Sequence, residues 1–572
     1  MQKVGNGAEP SGRSPELRQG GIATSFYLPA CAVLGVLAFL FNWHTGHKGL
    51  MFLDQSTIFD GAWRVFQGQI PYKDFFSPVG PLAFYILAFF FWIAGVNWSA
   101  AVLGACVLNS IATLSVIRVV RLLGGGSRIL ALCAGLATAL SFQPVFGTLY
   151  YEQTAMFLDL LALHAAVESL QAAAPRRGYW QILSGVFLGL ALITKQNFSV
   201  FFAPVLVAVL AAGELPSVRQ TIFAILRAGL ATLAVAVLFL GWVFLFSDFA
   251  ACERHALITA REIGKARLTP RVLAQAFSFN ISPNLLQVDL AGMFFGLLAL
   301  VSVRFPSPLW RQLAPAAAAA VTLPLFRSLV QASTDNNAAN TFGLSGLSVC
   351  VGLAVWLKIV PHLGEAFSGD LIRMPSAKTM GRLGCLAVGI WSVAAFGYVG
   401  RAAWTRSVHE YQSGTVFRET IRVPGLERVY WGEPTWHTYK NTLKGTINKG
   451  DFENVAAYLV RKKTNFFVMG DALLLYGLLG AKPPQPLLYF QHSHSFLERH
   501  IPVLDPLITA ELERNGVGVV VREKFMFTDT DEGSNVYSFF PLLQAWFKAN
   551  FTLAEEHGNY EIWERNAGAG RR

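Results

Sequence analysis

The chain has 572 residues, of which 53% are apolar and only 14% charged, and its mean hydropathy is positive. This composition excludes an ordinary soluble enzyme and is typical of a protein that crosses a bilayer several times. The net charge of +11 does not indicate nucleic-acid binding, because the Lys and Arg residues stand in short clusters between apolar runs. The six cysteines show no CxxC spacing, so we expect neither a disulfide framework nor a metal cluster.

The N-terminal part divides at the first apolar run. Residues 1–22 are rich in Gly, Ser, Pro and Arg and are predicted to be a disordered cytoplasmic segment. The run 23–43 is about 20 residues long, which is enough to cross about 30 Å of hydrocarbon. It begins a transmembrane domain over 23–400, with a first external loop at 44–98. Within this loop, residues 53–85 form a polar, aromatic, turn-rich stretch.

The positive-inside rule fixes the number of later spans. If residues 81–96 form a short interfacial helix on the outer side, the run 99–117 brings Arg118, Arg121 and Arg128 to the cytoplasm, and every later basic cluster falls there too. With the first span this predicts eleven in all, the others being 99–117, 129–146, 154–172, 182–194, 198–212, 229–246, 290–303, 313–326, 342–357 and 386–399. An odd number of spans places residues 401–572 outside.

The external tail, 401–572, has the charge content of a soluble domain. Its patterns predict helices at 452–463, 472–479 and 541–550, and strands at 466–470, 517–521 and 560–564. Strands separated by helices favour a small α/β domain with a partly parallel sheet. The predicted fold class is therefore an all-α polytopic membrane protein with a C-terminal extracytoplasmic α/β domain.

This topology gathers polar side chains on the outer surface. An unpaired charge at bilayer depth costs about 2.5 to 3.5 kcal/mol, so charges at helix ends beside apolar runs indicate a water-filled cavity or an ionic ligand. The polar residues gathered there are Asp54, Asp60, Lys73, Asp74, Tyr150, Tyr151, Glu152, Lys195, Gln196, Asn197, Arg327, Asp335, Asn336, Asn337 and Asn340.

Several of these candidates also have a purely structural interpretation. Lys195 could be a snorkelling or turn lysine, and Glu152 an acid favoured by a helix N-terminus. Asp60 precedes a glycine and could be a turn or cap residue, and Asp335 could belong to a plain external loop. Asp54 directly follows an apolar triplet, which places it close to the membrane surface and favours a functional role.

An outward-facing carboxylate near basic groups suits transfer of a sugar carried on a polyprenyl phosphate. The acceptor hydroxyl needs a general base, and the phosphate leaving group needs Lys or Arg to offset its developing charge. Two other classes remain open: a polyprenyl-lipid transporter or flippase, and a noncatalytic scaffold for envelope glycan assembly. Charges near the centres of spans are few, mainly Asp159 and His164, which speaks against transport.

The run GQIPYKDFFSPVGPLAFY at residues 68–85, after one span and an early Asp, resembles the membrane-embedded C-type glycosyltransferases. It is similar to their branch with the lipid A aminoarabinose transferases, the protein O-mannosyltransferases and the lipopolysaccharide-core transferases. The resemblance implies Asp54 as general base, Asp60 as the less favoured candidate, Glu152 as a second acid, and inversion at the anomeric carbon. It implies a lipid-linked sugar donor and a glycolipid, polysaccharide or protein acceptor.

One departure from that branch concerns the donor phosphate. A Lys-Pro-Pro-Leu run of the aminoarabinose transferases is replaced here by Val79-Gly80-Pro81-Leu82, so its phosphate-binding lysine is missing. Lys195, Lys73 or Arg327 would have to substitute for it.

The remaining expectations concern substrate contacts, metal and location. Substrate contacts are expected from Tyr72, Asp74, Tyr151, Gln196, Asn197 and Asp335. A divalent metal shared by Asp54 and Glu152 stays open, although no ligand spacing argues for one. The composition is compatible with a bacterial inner membrane, with the N-terminus cytoplasmic and the tail periplasmic.

Overall fold

The computed structural model describes most of the chain as a helical bundle with a small C-terminal sheet. The described residues are 24–50, 52–144, 147–215, 217–271, 307–333, 344–366, 419–431, 448–492, 494–524, 526 and 536–567. The predicted spans 290–303 and 386–399, and the candidate residue Asp335, lie outside them.

In the described part of the bundle, a π-helical turn, Glu253–Ile258, joins two of the helices. The bounds of the helices are α1 Thr24–Gly46, α2 Phe52–Phe66, α3 Leu82–Ala94, α4 Trp98–Leu123, α5 Arg128–Ser141, α6 Tyr151–Gln171, α7 Ala174–Leu192, α8 Gln196–Glu214, α9 Val218–Phe246, α10 Phe249–Cys252, α11 Thr259–Arg267, α12 Ser307–Ser333 and α13 Ser345–Ala366.

Five helices of the described chain are long and apolar enough to cross a membrane, within α1, α4, α8, α9 and α12. The predicted count of eleven spans is therefore not confirmed. Helices α6 and α7 have 21 and 19 residues but are more polar. The expectation that residues 81–96 form a short helix agrees with α3, because its 13 residues measure about 20 Å, too little for the hydrocarbon core.

Ion pairs and polar contacts join the helix ends opposite the first external loop. The Arg118 guanidinium binds Glu168 across α4 and α6, with Nη2 at 3.1 Å from Oε2. Arg177 at the start of α7 contacts Glu214 at the end of α8, with 3.1 Å between Nη1 and Oε2. These pairs join α4 to α6 and α7 to α8 near the ends of the helices.

The tail forms a four-stranded sheet flanked by helices. Its elements are α14 Lys449–Lys462, β1 Phe466–Met469, α15 Leu474–Leu478, α16 Ile501–Arg514, β2 Val519–Glu523, α17 Pro541–Asn550, β3 Phe551–His557 and β4 Tyr560–Arg565. The strand order is β1-β2-β4-β3, with β1 and β2 parallel and the other pairs antiparallel. The expectation of a partly parallel sheet is confirmed, whereas α16 and the polar edge strand β3 were not predicted.

The first external loop differs from its expected turn-rich form because its opening part is the 15-residue helix α2. Most of α2 is buried, including polar residues such as Gln55, Ser56 and Asp60. The run 52–66 has the amphipathic pattern of a helix, so the expectation of a turn-rich loop was wrong there although the helical signal was present in the sequence.

The tail docks on this loop through backbone and side-chain hydrogen bonds. The N–H of Phe76 donates to the carbonyl of Pro486 at 2.7 Å, and the N–H of Leu488 donates back to Phe76 at 3.1 Å. Trp63 of α2 donates from Nε1 to the Ala481 carbonyl at 2.8 Å. The loop is therefore the surface on which the tail is mounted.

A buried ion pair strengthens this junction. Arg64 Nε lies 2.9 Å from Asp60 Oδ2 within α2, and both side chains are almost wholly buried. Arg64 also donates from Nη1 to the carbonyl of Gln485 in the tail, at 2.8 Å. Asp60 is thus placed as the partner of Arg64 at the junction.

Replacing Arg64 with Met tests this role, because it leaves the Asp60 carboxylate buried without its cation. We expect the free energy of unfolding to fall by about 3 to 5 kcal/mol, as for other broken buried pairs. Denaturant titration of the purified protein in micelles measures it. Asp60→Leu combined with Arg64→Met should recover much of the loss, because no charge then stays buried.

Lys265→Met serves as the matched control, since it removes a cation from the mostly exposed Glu262–Lys265 pair. It should cost less than about 1 kcal/mol. Equal stability of the Arg64→Met variant and wild type would contradict the assignment.

Candidate active site

Asp54 stands in the first turn of α2, at the membrane end of the external loop. Its carboxylate is half-buried, and the Tyr150 hydroxyl hydrogen-bonds to it. The next residue, Gln55, donates from Nε2 to the Thr148 hydroxyl at 3.1 Å. The start of α2 is thereby tied to the segment that leads into α6.

Glu152 and Lys195 form an ion pair beside this turn. Glu152 lies in the first turn of α6, and Lys195 directly precedes the first residue of α8. Their Nζ and Oε1 atoms are 2.8 Å apart, and the side chains are only 15% and 5% exposed. Lys195 therefore points into the protein and does not snorkel to the membrane surface.

Two tyrosines connect the base candidate to this ion pair. The hydroxyls of Tyr150 and Tyr151 are 2.7 Å apart, and the Lys195 ammonium lies 4.2 Å from the centroid of the Tyr151 ring. Because Tyr150 also contacts Asp54, an unbroken series of contacts runs from Asp54 to Lys195 and Glu152. We call Asp54, Tyr150, Tyr151, Glu152 and Lys195 the acid–lysine cluster.

The environment of Asp54 weakens its acidity. Burial of the carboxylate is the largest cause and repulsion from Glu152 the next, and together they raise the pKa of Asp54 to about 6. The Tyr150 hydrogen bond and the positive charges of Lys195 and His494 act in the opposite direction. The carboxylate is thus ionised at pH 7 and basic enough to take a proton from a hydroxyl group in a transition state.

The tail contributes two side chains that sequence reasoning missed. His494 acts on the charge of Asp54, and Tyr489 on Tyr151, so both stand close to the acid–lysine cluster. Tyr489 directly follows Leu488, which the first loop holds through Phe76, and His494 comes five residues after Tyr489. No sequence signal could have joined His494 to an aspartate so far away in the chain.

The structure leaves other candidates of the first loop outside the cluster. Asp60 is paired with Arg64. Lys73 and Asp74 are exposed on a turn, where the Asp74 carboxylate accepts the N–H of Ile70 at 2.7 Å. Tyr72 is buried and donates its hydroxyl to the Val79 carbonyl at 3.1 Å.

The candidates on α8 and α12 lie near Lys195 in the chain or in space. Gln196 is the first residue of α8, and Asn197 donates to the Ser333 hydroxyl of α12 at 2.7 Å. Arg327 is buried in α12 next to Phe326, whose ring packs on Phe202 of α8 with 5.0 Å between centroids. Arg327 thus lies in the helix that packs on α8, six residues before Ser333.

The cluster does not offer a recognisable metal site. The described residues contain no group of three or more His, Cys, Asp or Glu side chains placed to hold an ion. Glu152, one of the two predicted ligands, already has the Lys195 ammonium 2.8 Å from its Oε1. The positive charge of the cluster thus comes from a lysine.

Comparison with known proteins identifies a matching family model and structures of similar fold. The family model for dolichyl-phosphate-mannose-protein mannosyltransferases matches residues 78–242. The structure of ArnT from Cupriavidus metallidurans bound to undecaprenyl phosphate is 13% identical, with a TM-score of 0.53, covering 96% of this chain and 99% of that one. No curated protein sequence matches the chain.

Two further structures are more distant in shape. ArnT from the same organism in the apo state has a TM-score of 0.47, with 13% identity and coverage of 94% of this chain and 98% of that one. The mycobacterial arabinofuranosyltransferase AftD has a TM-score of 0.39 and 13% identity, and the match covers 96% of this chain but only 40% of AftD.

The chain is therefore a multi-pass membrane protein with the fold of the C-type glycosyltransferases. Within that class it resembles the branch of ArnT and the protein mannosyltransferases, which confirms the resemblance of its first-loop motif.

Replacing Tyr150 with Phe tests the electrostatics of the cluster. The variant loses the hydroxyl that stabilises the Asp54 carboxylate, so the pKa of Asp54 should rise above 6, whereas Glu152→Gln should lower it by removing repulsion. Infrared titration of the carboxylate bands measures both, with Asp54→Asn as the blank. Unchanged titration in both variants would show that Asp54 is not part of the cluster.

Proposed function

We propose that the protein is an inverting glycosyltransferase. It moves a sugar from a polyprenyl phosphate to an acceptor hydroxyl at the outer face of a bacterial inner membrane. The observation that carries the proposal is the acid–lysine cluster, in which a base with a pKa of about 6 is connected through two tyrosines to a buried lysine. A structure of similar fold was solved with undecaprenyl phosphate, which supports a lipid-linked donor.

Asp54 acts as the general base in this proposal. The acceptor oxygen attacks the anomeric carbon while its proton passes to the Asp54 carboxylate. The bond between the anomeric carbon and the phosphate oxygen breaks, and its electron pair leaves with the polyprenyl phosphate. One displacement of this kind inverts the anomeric centre.

Lys195 receives the negative charge that develops on the leaving phosphate. In the structure its ammonium is engaged by Glu152. A phosphate at this position would share or replace that contact. The Tyr151 ring beneath the ammonium keeps it directed into the cluster during the exchange.

The transporter alternative depends on the few polar groups inside the bundle. His164 is 3.5 Å from Glu168 one turn away and therefore has a local partner. Asp159 is buried in α6, and among the described residues neither of its carboxylate oxygens has a hydrogen-bond partner. A noncatalytic scaffold would tolerate loss of the base, so mutation of Asp54 separates that alternative from a transferase.

Asp54→Asn should abolish transfer and leave lipid binding intact, because the amide keeps the shape of the side chain but cannot accept the proton. We expect a loss of about 10²- to 10⁴-fold in rate, the usual contribution of a general base. Label transfer from a panel of radiolabelled polyprenyl phosphate sugars to a membrane glycolipid extract measures it in lipid-reconstituted protein.

Glu262→Gln is the matched control, since Glu262 is a partly exposed acid of α11 that forms an ion pair with Lys265. It should transfer as well as wild type. Full transfer by well-folded Asp54→Asn would refute the base assignment. Wild-type protein that binds the lipid but never consumes a donor would favour the flippase or scaffold.

Lys195→Met should weaken binding of polyprenyl phosphate by about tenfold to a hundredfold, the range expected for a lost charge-assisted hydrogen bond. Titration of a fluorescent polyprenyl phosphate into protein in micelles measures the affinity. Lys548→Met, in an exposed lysine of α17, is the control. If Lys73→Met had the larger effect, the phosphate would lie on the exposed turn of the first loop instead.

A further inference from the structure

One peptide unit of the first loop holds the backbone next to Lys195. The N–H of Gly80 donates to the carbonyl of Thr194 at 3.1 Å. Thr194 directly precedes Lys195 in the tight turn that ends α7, where the N–H of Lys195 donates to the Ala191 carbonyl at 2.9 Å. The first loop thereby fixes the position of the Lys195 backbone.

Only glycine fits at residue 80 in this contact, because a side chain would have no room there. A Cβ atom on residue 80 would stand 2.0 Å from the Ile193 carbonyl oxygen and 2.5 Å from its carbon. Gly80 is not among the glycines with positive φ, so its conformation is open to other residues. The obstacle is backbone rather than a flexible side chain, so any larger residue must push the 193–195 turn away.

Tyr72 orients the same peptide unit from its other side. Its hydroxyl donates to the Val79 carbonyl at 3.1 Å, and this carbonyl shares one planar peptide with the Gly80 N–H. Tyr72 has a φ of 65°, rare for a residue with a side chain, and its N–H donates to the Phe75 carbonyl at 2.7 Å. Such a conformation persists where the surrounding structure enforces it, and such residues cluster at ligand sites.

We propose that Tyr72 and Gly80 are positioning residues for Lys195, holding its ammonium where the phosphate of a lipid-linked donor binds. The inference rests on the proposed function and assigns Tyr72 a role other than direct substrate contact. The Val79–Gly80 peptide fixes the 193–195 turn, and the turn fixes the lysine. A proline at residue 80, as in a Lys-Pro-Pro-Leu run, would offer neither the N–H nor the room. Val79 stands where that run has its lysine, and Gly80 stands where it has its first proline. Both differences thus fit the same arrangement, in which Lys195 is held by the Val79–Gly80 peptide.

A double-mutant cycle tests the proposal. Gly80→Ala should weaken polyprenyl phosphate binding and raise the KM for the donor by about tenfold or more, because displacements near 1 Å carry such costs. The KM for the acceptor should stay unchanged. In a Lys195→Met background, Gly80→Ala should have less than about a twofold further effect, because coupled residues are not additive.

Tyr72→Phe is the gentler variant, since it removes one hydrogen bond and keeps the buried ring. It should weaken donor binding by about twofold to tenfold, and only when Lys195 is present. Gly241→Ala is the matched control, because a Cβ there meets nothing within 4 Å. Equal effects of Gly80→Ala with and without Lys195, or no effect at all, would overturn the proposal.

A second measurement does not depend on any transferase activity. Lys195 is paired and largely buried, so an amine-selective reagent should label it more slowly than the exposed Lys73 in the same molecule. Gly80→Ala should raise the Lys195 rate relative to Lys73, as measured by mass spectrometry. An unchanged ratio would overturn the positioning role. If wild type binds no polyprenyl phosphate, the proposed function fails and this labelling ratio alone decides the inference.

Discussion

The contact between Lys195 and Glu152 is the constraint on which the rest of the site depends. A buried ammonium is costly unless an anion and further partners surround it. Glu152 supplies the anion at 2.8 Å, and the Tyr151 ring supplies a second favourable surface at 4.2 Å. Glu152 and Tyr151 lie at the start of α6, and Lys195 directly precedes α8. The N-terminal ends of α6 and α8 must therefore meet beside the membrane surface. This contact between the two helix ends brings the side chains of the acid–lysine cluster together.

The first external loop serves both the site and the tail. Its helix α2 presents Asp54 at one end and the Asp60–Arg64 pair along its length, from which Arg64 reaches the Gln485 carbonyl. The strand-like contact of Phe76 with Pro486 and Leu488 then carries the tail to the cluster. A domain that would otherwise be an independent appendage is held where His494 acts on Asp54.

Two positions of the loop motif acquire a physical meaning from this arrangement. The Val79–Gly80 peptide is held through its carbonyl by Tyr72 and through its N–H by Thr194, so it joins the loop to the α7–α8 turn. In this proposal the peptide places Lys195, which lies outside the loop, at the phosphate position.

The sequence by itself determined the class of protein, the α/β tail and most of its elements, because long apolar runs and alternating strand patterns are local signals. It also selected Asp54, Glu152 and Lys195 as candidates, since charges beside apolar runs are costly wherever the chain folds. Helix α2 was not predicted because its polar residues were assigned to a loop, although the run 52–66 carries an amphipathic helical pattern.

Only the tertiary structure separated Asp54 from Asp60. Asp60 pairs with Arg64 one turn along α2, and the tail covers this pair through Gln485. Asp54 instead meets Tyr150, a residue almost a hundred positions away in the chain. His494 could not be predicted either, because its place depends on how the tail docks. Contacts between remote segments leave no periodic pattern in the chain, so their chemistry becomes visible only when the segments meet.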